Sequence, residues 1–186
     1  MKDKQEIRRA FLARRRALSP SYRQAASGEM CRILEALPAF RKAPLVLGYC
    51  AVKEEVDLTP LWVCALQQGK RVAFPRCVGR KMRFSCVNSL SDLVIAEYGI
   101  PAPPADADVL EDFSEALVVT PALTADENGT RLGYGGGFYD RFLADNTVRD
   151  TLCPVYAELF SQTPLLREAF DVPVSTVITE HGVVLK

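Results

Sequence analysis

The run Pro44-Leu45-Val46-Leu47-Gly48-Tyr49-Cys50, the stretch from Thr59-Pro60 to Gln68 with Gly69 behind it, and the run Arg71-Val72-Ala73-Phe74-Pro75 decide the fold. The first is short and continuously apolar, as a strand buried on both faces would be. The second has proline at its opening turn and glycine just past its end, the asymmetry that brackets a helix, with Thr59 as the cap. The third reads as another strand. Strand, helix and strand in close succession build a parallel sheet.

Outward from this unit, Lys81–Cys86, Ala116–Thr120, Leu152–Tyr156, Val174–Thr179 and Gly182–Leu185 supply further strands. Upstream, residues 3–18 read as a helix with Ile7 and Phe11 on one face. Ser19-Pro20 caps and opens a second helix, whose Met30, Ile33, Leu34 and Leu37 recur at i, i+3, i+4 and i+7. The proline-rich residues 99–108 are a surface connection, Pro121–Leu132 a polar loop, and a short helix begins within Gly135–Tyr139. The expectation is one α/β domain over residues 1–186, with a mostly parallel central sheet covered on both faces.

Lys plus Arg equals Asp plus Glu at 23 each, so no overall field draws the chain to nucleic acid or a membrane surface. Arg14-Arg15-Arg16 is the local exception and reads as a solvated helix end whose cations suit the dipole there. The six cysteines form no Cys-x-x-Cys pair, and the single His completes no metal site. Several lie in apolar runs, where free Cys serves as a small hydrophobe in a reducing compartment. No segment has the length and apolarity of a membrane span, and the charged N-terminus does not read as a leader. The expected setting is cytoplasmic, without nucleic-acid or membrane partners. Oligomeric state is not written in the sequence, and a monomer is the working expectation.

The chemistry concentrates in Arg131-Leu132-Gly133-Tyr134-Gly135-Gly136-Gly137-Phe138-Tyr139-Asp140-Arg141. Glycines this dense let backbone N–H groups approach an anion, and a helix N-terminus adds its dipole. No Lys-Ser/Thr follows, and the last glycine of a dinucleotide fingerprint is missing, so neither common nucleotide template fits. A tight turn remains open as the plain reading. A carboxylate just past such a cradle, Asp140, can hold a Mg²⁺ that also takes phosphate oxygens, or can simply form a solvated pair with Arg141. Lys4 and Arg8, spaced i, i+4, share one side of the first helix and suit a phosphate chain. Glu54, Glu55 and Asp57 follow the first strand, where ligands of open parallel sheets bind, or are plain loop charges.

Together these pieces resemble the 5-formyltetrahydrofolate cyclo-ligase family over nearly the whole chain. The likeness rests on Asn128-Gly-Thr-Arg-Leu-Gly-Tyr-Gly-Gly-Gly-Phe-Tyr-Asp-Arg141 and, in order around it, on Lys4 and Arg8, Glu55 and Asp57, Gly69 to Arg76, Gly99 to Pro103, and Asp171 to Glu180. The resemblance implies a three-layer α/β/α fold and conversion of ATP and 5-formyltetrahydrofolate to ADP, phosphate and 5,10-methenyltetrahydrofolate. It implies that Lys4, Arg8 and Arg131 through Tyr139 (Leu132, Gly133, Tyr134, Gly135, Gly136, Gly137 and Phe138 between them) bind ATP. Arg131, Tyr139 and Lys4 are its catalytic candidates. Arg8, Cys50, Glu55, Tyr98 and Tyr134 through Phe138 line the folate site. Asp140 is a Mg²⁺ ligand and Asp171 a second one. Gly136 replaces a Lys found in some members, Phe138 a frequent Tyr, and Tyr98 a position where Trp can occur.

A formamide is a poor electrophile, so phosphorylating its oxygen creates a leaving group that a neighbouring amine of the same molecule can displace. Such an enzyme needs alignment and charge neutralisation rather than a covalent nucleophile, in keeping with the absence of a convincing catalytic His or activated Cys. Exchanging Asp140 for Asn is expected to remove turnover and spare the fold. The alternative is a protein of the same fold that binds folate or nucleotide without turnover, against which stands the intact set of Arg131, Tyr139 and Asp140.

Overall fold

The computed structural model describes residues 3–185. Helix α1 (Lys4–Ala17) starts at Asp3, whose carboxylate accepts the Glu6 N–H. Helix α2 (Pro20–Ala36) is capped by Ser19 and has Pro20 in its first turn, and α3 (Pro38–Lys42) follows. Next come strand β1 (Leu45–Leu47), helix α4 (Thr59–Gln67) and strands β2 (Arg71–Val78) and β3 (Lys81–Val87). The short pair β4 (Val94–Ile95) and β5 (Pro101–Ala102) precedes β6 (Ala116–Val119) and the pair β7 (Thr124–Ala125) and β8 (Arg131–Leu132). Helix α5 (Phe138–Asp145) and strands β9 (Asp150–Pro154), β10 (Thr176–Thr179) and β11 (Gly182–Leu185) complete the chain.

Seven strands form one sheet in the order β11-β10-β9-β6-β1-β2-β3. The five inner strands are parallel, and each edge strand is the antiparallel arm of a hairpin. Alternate residues serve opposite faces. Val46, Val72, Phe74, Leu117, Val119, Leu152 and Ile178 meet α2, α3 and α4 in the larger core. Leu45, Leu47, Ala73, Phe84, Ala116 and Val118 meet Phe113 and the α5 residues Phe142 and Leu143. The result is the expected three-layer α/β/α arrangement.

The connection after β1 leads by way of α4 to β2, whereas β6, β9 and β10 are laid down on the other side of β1. The order of strands therefore reverses between β1 and β6. The loops leaving these two strands diverge there and open a crevice beyond their carboxyl ends, the place where doubly wound sheets bind ligands.

Several details differ from the sequence reading. Strand β1 ends at Leu47, and beyond it Gly48 donates a hydrogen bond to the Ala73 carbonyl at 2.9 Å. Leu58 rather than Thr59 caps α4, and Asp57 accepts the Thr59 N–H at 2.9 Å. Strand β9 lies two residues earlier than Leu152–Tyr156. Residues 121–132, read as a polar loop, pair as β7 and β8 and are largely buried. Asp126 makes that burial possible, since its carboxylate accepts the N–H groups of Asn128, Thr130 and Leu165 at 3.0, 2.9 and 2.7 Å. A polar sequence can be interior when one carboxylate satisfies its backbone. Arg15 is the sharpest correction: it is 1% exposed, whereas Arg14 and Arg16 are exposed as expected.

Candidate active site

A cleft of about 880 Å³ occupies the crevice at the switch point. Its floor comes from the carboxyl ends of the parallel strands, with Tyr49 and Cys50 after β1 and Pro75 and Cys77 on β2. Helix α1 forms one side, the loop leading into α5 another, and the β4–β5 pair with Tyr98 the rim. Lys4, Arg8, Cys50, Glu55, Tyr98, Arg131 through Asp140 and Asp171 all line it, whereas Glu54 and Asp57, named beside Glu55, do not.

The glycine loop is shaped by what it must avoid. Gly135 has φ +98°, and a Cβ there would lie 3.2 Å from the Arg8 guanidinium carbon. A Cβ at Gly136 would stand 2.9 Å from the Phe138 ring, so these two positions are matched to each other. Gly137 caps α5 in a left-handed conformation without any side-chain cap bond. The first N–H groups of α5 are thereby left for an anion in the cleft. Arg8 donates from Nε to the Gly133 carbonyl at 3.1 Å and ties the loop to α1.

Arg131 leaves β8 with its side chain 5% exposed and donates from Nη2 to Asp140 Oδ1 at 3.0 Å. The same oxygen accepts the Val172 N–H at 3.2 Å. Asp140 is therefore more than a loop-end charge: it neutralises a buried guanidinium. The Nε of Arg131 and the hydroxyl of Tyr139 are buried with no hydrogen-bond partner among the described residues. Buried donors left in this state have most to gain from an arriving acceptor. Burial drives the Tyr139 hydroxyl well above its ordinary pKa, with the charge of Glu55 adding to the effect, so Tyr139 is a neutral donor.

Lys4 bridges Asp171 and Glu168 at 2.5 Å each, and its ammonium lies 5.4 Å from the centroid of the Phe170 ring. Burial disfavours its charge, but the two carboxylates outweigh that and raise its pKa. Across the cleft, Glu55 is held twice: its Oε2 accepts the Val52 N–H at 3.0 Å, and its carbonyl accepts the Tyr156 hydroxyl at 3.0 Å. Burial raises the Glu55 pKa, while the Val52 N–H, Arg15 and Lys53 pull it back down. Lys53 itself has φ +54°, a costly conformation for a side-chain-bearing residue, in the turn that delivers Glu55. Cys50 is pushed up to about 11 by burial and acts as apolar lining, not as a nucleophile. Tyr98 also has positive φ, +62°, and is 78% exposed at the rim.

Sequence reasoning missed Arg15 and the role of Asp126. The signal for Arg15 was present: with Lys4, Arg8 and Phe11 it continues a single helical stripe. For Asp126 the only signal was an Asp-x-Asn-Gly turn, which does not reveal burial.

The sequence profile of the 5-formyltetrahydrofolate cyclo-ligase family matches residues 1–180. The 5-formyltetrahydrofolate cyclo-ligase of Escherichia coli K12 is 32% identical over 177 residues, covering 91% of this chain and 96% of its own length. That of Mycolicibacterium smegmatis is 30% identical over 194 residues, covering 98% of this chain and 97% of its own. The solved 5,10-methenyltetrahydrofolate synthetase of Aquifex aeolicus superposes with a TM-score of 0.82 at 32% identity, over 97% of this chain and 91% of that one. With a glycine loop, a switch-point cleft and this degree of likeness over nearly its full length, the chain belongs to the 5-formyltetrahydrofolate cyclo-ligase family.

Proposed function

We propose that the protein uses ATP to cyclise 5-formyltetrahydrofolate to 5,10-methenyltetrahydrofolate, releasing ADP and phosphate. The observation that carries this reading is the convergence of the glycine loop, the α1 cations and the Glu55 carboxylate on one cleft. Its volume is near the top of the range of about 300–1,000 Å³ typical of small-molecule sites, which suits two substrates lying side by side.

ATP takes the loop side, its phosphates received by the Gly135–Phe138 backbone and the α5 N-terminus, with Arg131 and Lys4 as cations. Folate takes the other side, its pterin donor edge on Glu55 and its rings against Cys50, Tyr134, Phe138 and Tyr98. The formyl oxygen bonds to the γ-phosphorus as the bond from that phosphorus to the β-bridging oxygen breaks, releasing ADP. Nitrogen-10 then attacks the formyl carbon and loses its proton, and the carbon–oxygen bond breaks to release phosphate. Arg131 Nε and the Tyr139 hydroxyl, both without partners among the described residues, are suited to oxygens whose charge grows during the transfer. These groups bind and align; none forms a bond to substrate.

Mg²⁺ fits the donor set. It binds through one or two carboxylates and keeps waters and phosphate oxygens for its remaining positions. Among the described residues no cluster of three or more His, Cys, Asp or Glu could cage a metal, but Asp140 and Asp171 both line the cleft. Asp140 would hold the ion, with Asp171 as second carboxylate once Lys4 turns to phosphate. When bound, the ion would supply charge neutralisation during phosphoryl transfer. The unpaired cysteines and balanced charge support a cytoplasmic protein acting on small molecules, and we take it to work as a monomer.

The test is near-ultraviolet absorbance of purified protein with 5-formyltetrahydrofolate, Mg²⁺ and ATP, beside a control without ATP. Growth of the methenyl band only with ATP is expected. No band, with folate still bound, would replace this reading by a binding protein without turnover.

A further inference from the structure

Helix α1 brings more to the cleft than Lys4 and Arg8. Lys4, Arg8, Phe11 and Arg15 recur at i, i+4, i+7 and i+11, which places them on one face. Phe11 packs on the larger core, and Arg15 lies two turns beyond Arg8. The only side-chain hydrogen bond of Arg15 among the described residues runs from Nη2 to the Tyr134 hydroxyl. Its guanidinium also lies over the Tyr134 ring, 5.2 Å from the centroid. Its Nε and Nη1 are buried without partners among the described residues. A guanidinium buried without a carboxylate is costly, so the arrangement needs a compensating gain.

That gain lies at Tyr134. The residue sits between Gly133 and Gly135, neither of which has a side chain to hold the ring, and it is 49% exposed in the cleft wall. Arg8 fixes the backbone of this loop through the Gly133 carbonyl. Arg15 fixes its one large side chain at the tip. The charge of Arg15 also favours the ionised form of Glu55.

We propose that Arg15 is a positioning residue: its buried guanidinium locks the Tyr134 ring, and with it the loop at residues 133–137, in the conformation that separates and aligns the two substrates. The structural part stands on the contacts alone; the alignment part rests on the function proposed above.

The experiment compares amide hydrogen exchange over residues 133–137 in the native chain and in Arg15→Met, without ligand. Methionine fills the space without charge. Exchange in the loop should quicken about tenfold, the low end for loss of a hydrogen bond to a charged group, while β1 and β6 stay as they were. Loop exchange within about twofold of native overturns the proposal whatever the protein binds, because this readout needs no ligand. Should Arg15→Met fail to fold, Tyr134→Phe removes only a half-exposed hydroxyl, and the same criterion applies to it. In turnover, Arg15→Met should lower kcat about tenfold, because misaligned substrates bind but react slowly, and Arg15→Lys should recover part of it. An unchanged kcat, or a lowered Tm as the sole effect, would reduce Arg15 to a packing role and overturn the alignment part. If the native protein gives no ATP-dependent methenyl band, the function reading fails, and loop exchange still decides whether Arg15 holds Tyr134.

Discussion

Both ends of the parallel strands carry a hollow, and they differ in the state of their polar groups. At the amino ends of β1, β2 and β6 a hollow of about 510 Å³ is lined by Arg71, Glu111, Asp112 and Glu115. All four are exposed, and Glu115 already accepts from Arg149 at 2.8 Å. At the carboxyl ends, Arg131 Nε and the Tyr139 hydroxyl line the cleft buried without partners among the described residues. Water satisfies the first set, so a ligand adds little there. The second set loses hydration on folding and regains it only from a ligand or an ordered water. Perturbed, unsatisfied groups mark the candidate site, and a hollow alone does not.

Substitutions can break this comparison or sharpen it. Asp140→Asn should lower kcat about 1,000-fold, the scale on which removing a charge-stabilising group acts in transition-state binding. The sequence reading held that the fold would be spared. Because Asp140 neutralises the buried Arg131, stability should fall as well, by about 1–3 kcal/mol, measurable as a lower denaturant midpoint. Native-like turnover in this variant would remove the distinction between the two ends.

Asp126→Ala tests a buried carboxylate whose bonds are all made. It strands three backbone N–H groups and should cost about 2–4 kcal/mol of stability, read by urea unfolding, with loss of activity following unfolding rather than preceding it. Glu55→Gln should raise the KM for folate about tenfold and leave that for ATP unchanged. The raised carboxyl pKa of Glu55 adds a pH test with two opposite signs. Folate affinity needs the carboxylate, so it should fall as pH drops through a value above the ordinary glutamate range. Folding is favoured by the protonated form, so the contribution of Glu55 to stability is present below its unfolded pKa and lost as pH rises through the folded one. In Glu55→Gln both steps should vanish. Glu115→Ala, at the other end, should change stability by no more than about 0.5 kcal/mol and leave both KM values alone, measured by thermal melting and steady-state rates.

Much of the site was legible because its chemistry is local. Lys4 and Arg8 share a helical face by spacing alone, and the glycines with Phe138, Tyr139 and Asp140 form one contiguous loop-to-helix turn. Glu55 was legible for a different reason: it follows the first strand, and open parallel sheets bind ligands there, whereas Cys50 came only from the family resemblance. The rest depended on contacts between segments far apart in the chain. Asp126 is interior only because Leu165 brings its N–H from 39 residues away. The orphaned state of Tyr139 and Arg131 is a property of what surrounds them, which no spacing encodes.

The sequence by itself determined the strand–helix alternation, the parallel sheet, the glycine cradle and the membership of its family. The first three are carried by short-range patterns of apolarity, caps and turn residues, whose physics acts within a few residues, and the family by the resemblance of its motifs in order along the chain. Only the tertiary structure decided that residues 121–132 are largely buried and that Asp140 and Asp171 already hold cations of their own. Those outcomes are settled by desolvation, and a group is desolvated by whatever the fold brings against it, wherever that lies in the chain.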